Sequence, residues 1–169
     1  MILAIDPGNF ASGWVLMDEE TYRPIEFGKE PNEAVRRKLL DICTTYPGIE
    51  VPIEMIASYG CSVGRDVFET CVEIGRFEQI ADEWGAVPDR VLRRQEKFVI
   101  CHSQRANDAT IRQALVDRFA YGTPNHGKGT KKEPGFFYGF RADIWQAYAV
   151  GVTYLDMKKE RNNAWMVSE

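Results

Sequence analysis

The sequence predicts an α/β domain, and three observations carry that reading. Short apolar runs bounded by turn residues recur over residues 2–6, 13–18, 22–28 and 49–58, the pattern of strands. Longer stretches over about 63–84, 107–119 and 142–158 place apolar residues at helical spacing. The chain shows no repeat, no internal linker and no break in composition, so residues 1–169 are expected to form one domain.

The elements follow in order. "ILAID" ends at Pro7-Gly8, which turns the chain back into a second strand beginning at Gly13 and Trp14. A third strand ends at Gly28. Pro31 then opens a helix with Ala34, Val35, Leu39, Leu40 and Ile42 on its apolar stripe. Pro47-Gly48 ends that helix, and "IEVPIEMIAS" follows as a strand, imperfect for a central position because Pro52 lacks an amide hydrogen. The 63–84 helix carries Val67, Cys71, Ile74, Ala81 and Trp84, and Gly85 stands where a C-terminal glycine belongs. A short strand or turn at Val91-Leu92 precedes "RRQEKFVICHS". Asn107 or Asp108 caps the next helix. Residues 121–140 hold five glycines, two prolines and three lysines, a loop long enough to be functional or mobile. The last helix runs from about Ala142 into Lys158.

Composition narrows the function. Of the 169 residues 44% are apolar and 27% charged, and no apolar run matches a membrane span or a signal sequence, so a soluble cytoplasmic protein is expected. Two histidines and four cysteines without a CxxC pair speak against zinc. The net charge is −4, yet it is unevenly spread. Eleven basic and five acidic residues lie between Asp89 and Ala142, a local +6 against −10 elsewhere. This is either a phosphate-binding face or a surface patchwork.

Three carboxylates stand out. Asp6 ends the first strand, Glu54 lies within the apolar "VPIEMIA", and Asp143 opens the last helix. Each has an ordinary explanation: turn chemistry for Asp6, a solvent-facing strand position for Glu54, a helix-dipole acid for Asp143. Together they also suit phosphodiester hydrolysis, in which two Mg²⁺ ions about 4 Å apart stabilise the attacking and leaving oxygens. Hard cations take oxygen ligands, and strand ends hold those oxygens rigidly.

"ILAIDPGNFASGWVLM" resembles the first strand and turn of the RuvC-family Holliday-junction resolvases, "VPIEMIASYG" their second acidic strand, and "ADIWQAYAVGVTY" their final helix. The intervening "RRQEKFVICHSQRANDATIRQALVDRF" keeps the family's order of turn, strand-like segment and helix. The resemblance covers nearly the whole chain and is strongest to the RuvC-like proteins of phages and prophages. It implies an RNase H-like fold, with a central mixed five-stranded sheet, the first three strands antiparallel, and helices on both faces. It also implies a homodimer that nicks a four-way DNA junction symmetrically, using Mg²⁺ or Mn²⁺. Asp6, Glu54 and Asp143 match the first three family acids as catalytic metal ligands. The fourth position departs, because Gln146 stands where the family normally has Asp. Asp108 is then a substitute ligand or a helix cap.

DNA contacts are expected from Lys128, Lys131 and Lys132, just before Asp143, extended by Arg93, Arg94 and Arg105. Ser58 and Arg65 are expected to touch backbone. Tyr59 either stacks on an unpaired base or packs on the long helix. That 63–84 helix is the expected dimer interface if it is apolar on two sides. Three rivals stand beside the resolvase: another RNase H-like nuclease, a non-catalytic junction-binding protein, and an actin- or sugar-kinase-like ATPase. The last needs two such domains, which 169 residues cannot hold.

Overall fold

A computed structural model describes residues 1–57, 60 and 63–166. Five strands form one sheet: β1 (Ile2–Asp6), β2 (Ala11–Met17), β3 (Pro24–Pro31), β4 (Glu50–Met55) and β5 (Val87–Leu92). Their order is β3-β2-β1-β4-β5. The first three strands pair antiparallel, while β1/β4 and β4/β5 are parallel. Five helices complete the chain: α1 (Asn32–Thr45), α2 (Arg65–Glu83), α3 (Arg93–Cys101), α4 (Asp108–Phe119) and α5 (Ile144–Met166).

Strand alternation assigns side chains to two cores. Leu3, Ile5, Trp14, Leu16, Val51 and Ile53 pack against Val35 and Leu39 of α1 and Ile74, Phe77 and Ala81 of α2. Ile2, Ala4, Val15, Met17 and Val91 face the other way, onto Ile111 and Leu115 of α4 and Ala147, Tyr148 and Val152 of α5. Gly151 brings α5 close to the sheet: a Cβ there would meet Met17 Sδ at 2.5 Å and Ala4 Cβ at 3.1 Å. Among the described residues no helix is long and apolar enough to cross a membrane.

One sequence expectation changes and two are narrowed. "RRQEKFVIC" is helix α3, not a strand-like segment. Its Arg-Arg-Gln-Glu-Lys start is rich in helix formers, and the Leu92 amide donates to the Gln95 side chain at 2.7 Å, satisfying the helix entry. The cap of α4 is Asn107, which accepts from the Thr110 amide at 3.0 Å, so Asp108 is not a cap but the first helical residue. Pro52 does lie in a central strand. The β1 register pairs, Ile2 with Glu50 and Ile5 with Ile53, fall on either side of it, while the β5 ladder runs through it.

Residues 121–140 form no helix or strand, but their far end is anchored. Phe137 and Phe140 are buried and meet Trp145 at ring-centroid distances of 4.6 and 5.1 Å. Gly129 bridges Pro134, and the Gly135 amide donates to the Lys128 carbonyl at 2.9 Å. This tight turn carries Lys131 and Lys132 exposed at its tip.

Candidate active site

The site lies at the carboxyl ends of the parallel strands, where α/β sheets commonly bind ligands. Asp6, Gly13 and Lys29 are successive register partners across β1, β2 and β3. They share the sheet face of Ala4 and Val15, toward α5. Gly13 has no side chain, and the vacancy is filled by the chain at Asp143: a Cβ on Gly13 would lie 2.5 Å from the Asp143 carbonyl oxygen. Asp143 therefore stands over β2, and its Oδ2 takes Lys29 Nζ at 2.5 Å.

The turn after Asp6 is held by other residues. The Gly8 amide donates to Ser12 Oγ at 3.2 Å, Ser12 donates to Asn32 Oδ1 at 2.8 Å, and Asn32 Nδ2 returns to the Gly8 carbonyl at 2.9 Å. Ser12 and Asn32 are buried. The Asp6 carboxyl is left to meet Glu54 within hydrogen-bonding reach. Glu54 projects to the same face, because Val51 and Ile53 turn into the α1/α2 core. Its strand neighbour Glu50 likewise meets Lys158 of α5 at 2.7 Å.

A further acid joins them. Glu96, in the first turn of α3, is fully buried. It pairs with Arg93 through Oε2, while Oε1 has no hydrogen-bond partner. Arg93 also holds Asp108. Burial, the hydrogen bond to Glu54, and the charges of Glu54, Asp143 and Glu96 push the Asp6 carboxyl well above the usual range. Burial and the charge of Glu54 push Glu96 up too, against the pull of Arg93.

Five carboxyls thus gather around two cations, Arg93 and Lys29. The donor set is all oxygen and under-neutralised, which fits a hard divalent cation in chemistry and charge. Among the described residues no three carboxylate, histidine or cysteine groups already stand in metal-holding positions. Lys29 holds Oδ2 of Asp143, so an ion bound through that oxygen would displace it.

Gln146 lies one turn along from Asp143 and shares a groove with it, Asp108, Arg112 and Trp145. Ser58 and Tyr59 fall outside the described residues. Arg65 is exposed and pairs with Glu69 at 2.6 Å. Arg93 is spent on Glu96 and Asp108. Arg94 lines a pocket beside it with Lys97 and Gln104. Arg105, Lys131 and Lys132 are exposed and Lys128 is half-buried.

Sequence reasoning missed Glu96, Lys29 and Gly13. Glu96 carried a signal: read as a helix, "RRQEKFVIC" sets it one turn before Val99 and Ile100, a carboxylate on an apolar stripe. Lys29 and Gly13 carried none, since their importance lies in register across the sheet.

The architecture is the RNase H-like fold, a mixed five-stranded sheet with helices on both faces. The chain superposes on a Thermus thermophilus RuvC structure with a TM-score of 0.66 and 15% identity, over 94% of this chain and 95% of that one. It superposes on T. thermophilus RuvC in complex with Holliday junction substrate with a TM-score of 0.68 and 14% identity, over 95% and 96%. At such identities the shared property is the fold. No family model and no curated protein matches the sequence.

Proposed function

We propose that this chain is a divalent-cation-dependent endonuclease that resolves four-way or otherwise branched DNA by paired nicks. One observation carries the reading. Asp6 at the end of β1, Glu54 in β4 and Asp143 in the turn just before α5 lie around one under-neutralised edge of the sheet. The similarity to a RuvC in complex with Holliday junction substrate supports branched DNA as the substrate class.

Asp6, Glu54 and Asp143 would hold Mg²⁺ or Mn²⁺, with Gln146 offering a neutral carbonyl oxygen. Such ions, when bound, lower the pKa of water and stabilise the leaving oxygen of a phosphodiester. The chain's own part is positional. Ser12 and Asn32 fix the turn that aims Asp6. Gly13 admits Asp143. Lys29 neutralises Asp143 until a stronger cation arrives. Lys128, Lys131 and Lys132, with Arg94 and Arg105, would take phosphates flanking the cut. Phe68 and Val72 are exposed on α2 although Ile74 and Phe77 are buried, which supports this helix as the contact in a homodimer matched to a two-fold junction. The reading places the enzyme in a bacterial cytoplasm, encoded by a phage or prophage, as a single nuclease domain.

A second reading has its own observation. The Lys29–Asp143 ion pair and the neutral Gln146 would also suit a junction-binding protein that does not cut. A nicking assay on a synthetic four-way junction, with Mg²⁺, with Mn²⁺ and with chelator, separates the two. Cation-dependent cutting that is lost in Asp6→Asn supports the nuclease. Tight binding without cutting under either metal supports the binder.

A further inference from the structure

Glu96 has no part in the three-carboxylate reading, yet it is among the most constrained side chains in the protein. It is fully buried. Arg93, one turn earlier on α3, holds Oε2. The other oxygen, Oε1, has no hydrogen-bond partner. A buried acceptor left unpaired is costly, and an unpaired buried charge more so. The carboxyl also stands within hydrogen-bonding reach of a second acid, Glu54. Two adjacent carboxyls, one of them with an unpartnered buried oxygen, form a poor packing arrangement but a good seat for a cation. An apolar residue would serve the α3–sheet contact better if packing were the only demand.

Charge points the same way. Gln146, on α5, supplies no negative charge to the site. Glu96 approaches from α3 on the same face of the sheet, beside Glu54. We propose that Glu96 is the fourth acidic oxygen donor of the divalent-cation site, acting with Glu54 and supplying the charge that Gln146 lacks. Arg93 is then a positioning residue. It ties down Oε2 and leaves Oε1 free for the ion, while its second contact holds Asp108.

This inference rests on the cation-dependent reading and is tested apart from cutting. The full chain without DNA is titrated with Mn²⁺, read by calorimetry and by the loss of the free-ion electron paramagnetic resonance signal. Glu96→Gln keeps the shape and removes the charge, so it should weaken Mn²⁺ binding by about tenfold or more or abolish one bound ion. It should also raise the melting temperature of the cation-free protein, because a buried acid crowded against Glu54 is gone while Arg93 keeps Asp108. Glu96→Asp keeps the charge on a shorter arm and should bind with intermediate affinity. That variant also carries the test if Glu96→Gln fails to fold, since an affinity equal to wild type would then overturn the proposal. Unchanged Mn²⁺ binding in a folded Glu96→Gln overturns it and leaves the nuclease reading standing. Wild-type protein that binds no Mn²⁺ overturns both.

Discussion

Asp143 stands over Gly13, its carbonyl oxygen only 2.5 Å from where a β-carbon on Gly13 would lie. A strand residue without a side chain thus sets the position of an acid 130 positions later in the chain. Gly13→Ala should push Asp143 and the start of α5 away from Asp6. We expect cutting to fall by about a hundredfold, as when a reacting group is displaced by about 1 Å. Overpacking should cost about 1–3 kcal/mol of stability. Single-turnover nicking and urea unfolding measure the two effects. Cutting at the wild-type rate would show that the Gly13–Asp143 contact does not organise the site.

On the proposed reading, Lys29, which pairs with Asp143, would compete with a metal ion for it. Replacing Lys29 by Met removes the competitor. The half-saturating Mg²⁺ or Mn²⁺ concentration should fall several-fold, while stability changes by less than about 1 kcal/mol, because both partners are partly exposed. A Mn²⁺ titration of wild type and Lys29→Met decides this. Higher cation demand in the variant would instead make Lys29 an aid to the site.

Asp6 gives a pH signature. Its carboxyl holds a proton more tightly in the folded protein than the ordinary value of 3.8. The folded state is therefore favoured by protonation. That contribution is complete below the unfolded value and is lost as pH rises through the raised folded value. Cation-free wild type should lose stability across this range, and Asp6→Asn should not. At neutral pH the variant should melt a few degrees higher, the gap closing toward pH 4, and it should bind junctions without cutting them. Thermal melts in chelator from pH 4 to 8 are the measurement. A variant that melts lower than wild type at neutral pH would contradict the crowding of acids.

The basic turn should set the salt dependence of DNA binding. Each neutralised phosphate contributes about 0.9 to the slope of log affinity against log salt. Replacing Lys128, Lys131 and Lys132 together by Ala should flatten that slope by about two to three units for every junction sequence alike. The fold should persist, since Lys131 and Lys132 are exposed. By contrast, Phe137→Ala, a few residues on, empties a buried site and should cost about 3–5 kcal/mol. Filter binding across a salt series reads the first effect. An unchanged slope would move the DNA to another face.

Legibility followed the range of the interactions. β1, β2, α1, α2 and α4 were readable because apolar spacing and turn residues are local signals. β3 ran on past Gly28 to Pro31 because pairing with β2 extends it, which its own residues do not announce. The family's order of segments made α3 look strand-like, and the helix is decided by the capping Gln95 and by packing on α5. Asp6, Glu54 and Asp143 could be named because carboxylates next to apolar runs are conspicuous. Glu96 hid within the misread segment. Arg93 looked like a free cation until the fold placed two acids against it.

The anchoring of residues 121–140 has a thermodynamic consequence. Phe137 and Phe140 are already sealed among Trp145 and Tyr148, so the lysine turn gives up its backbone freedom when the protein folds rather than on binding the proposed DNA. Association then carries little ordering cost in this segment. Its calorimetric fingerprint should be a modest heat-capacity change, unlike the large negative value of a tail that folds on its target. If DNA binds there as proposed, it would meet a finished surface, and affinity lost to high salt should be regained at once when the salt is removed.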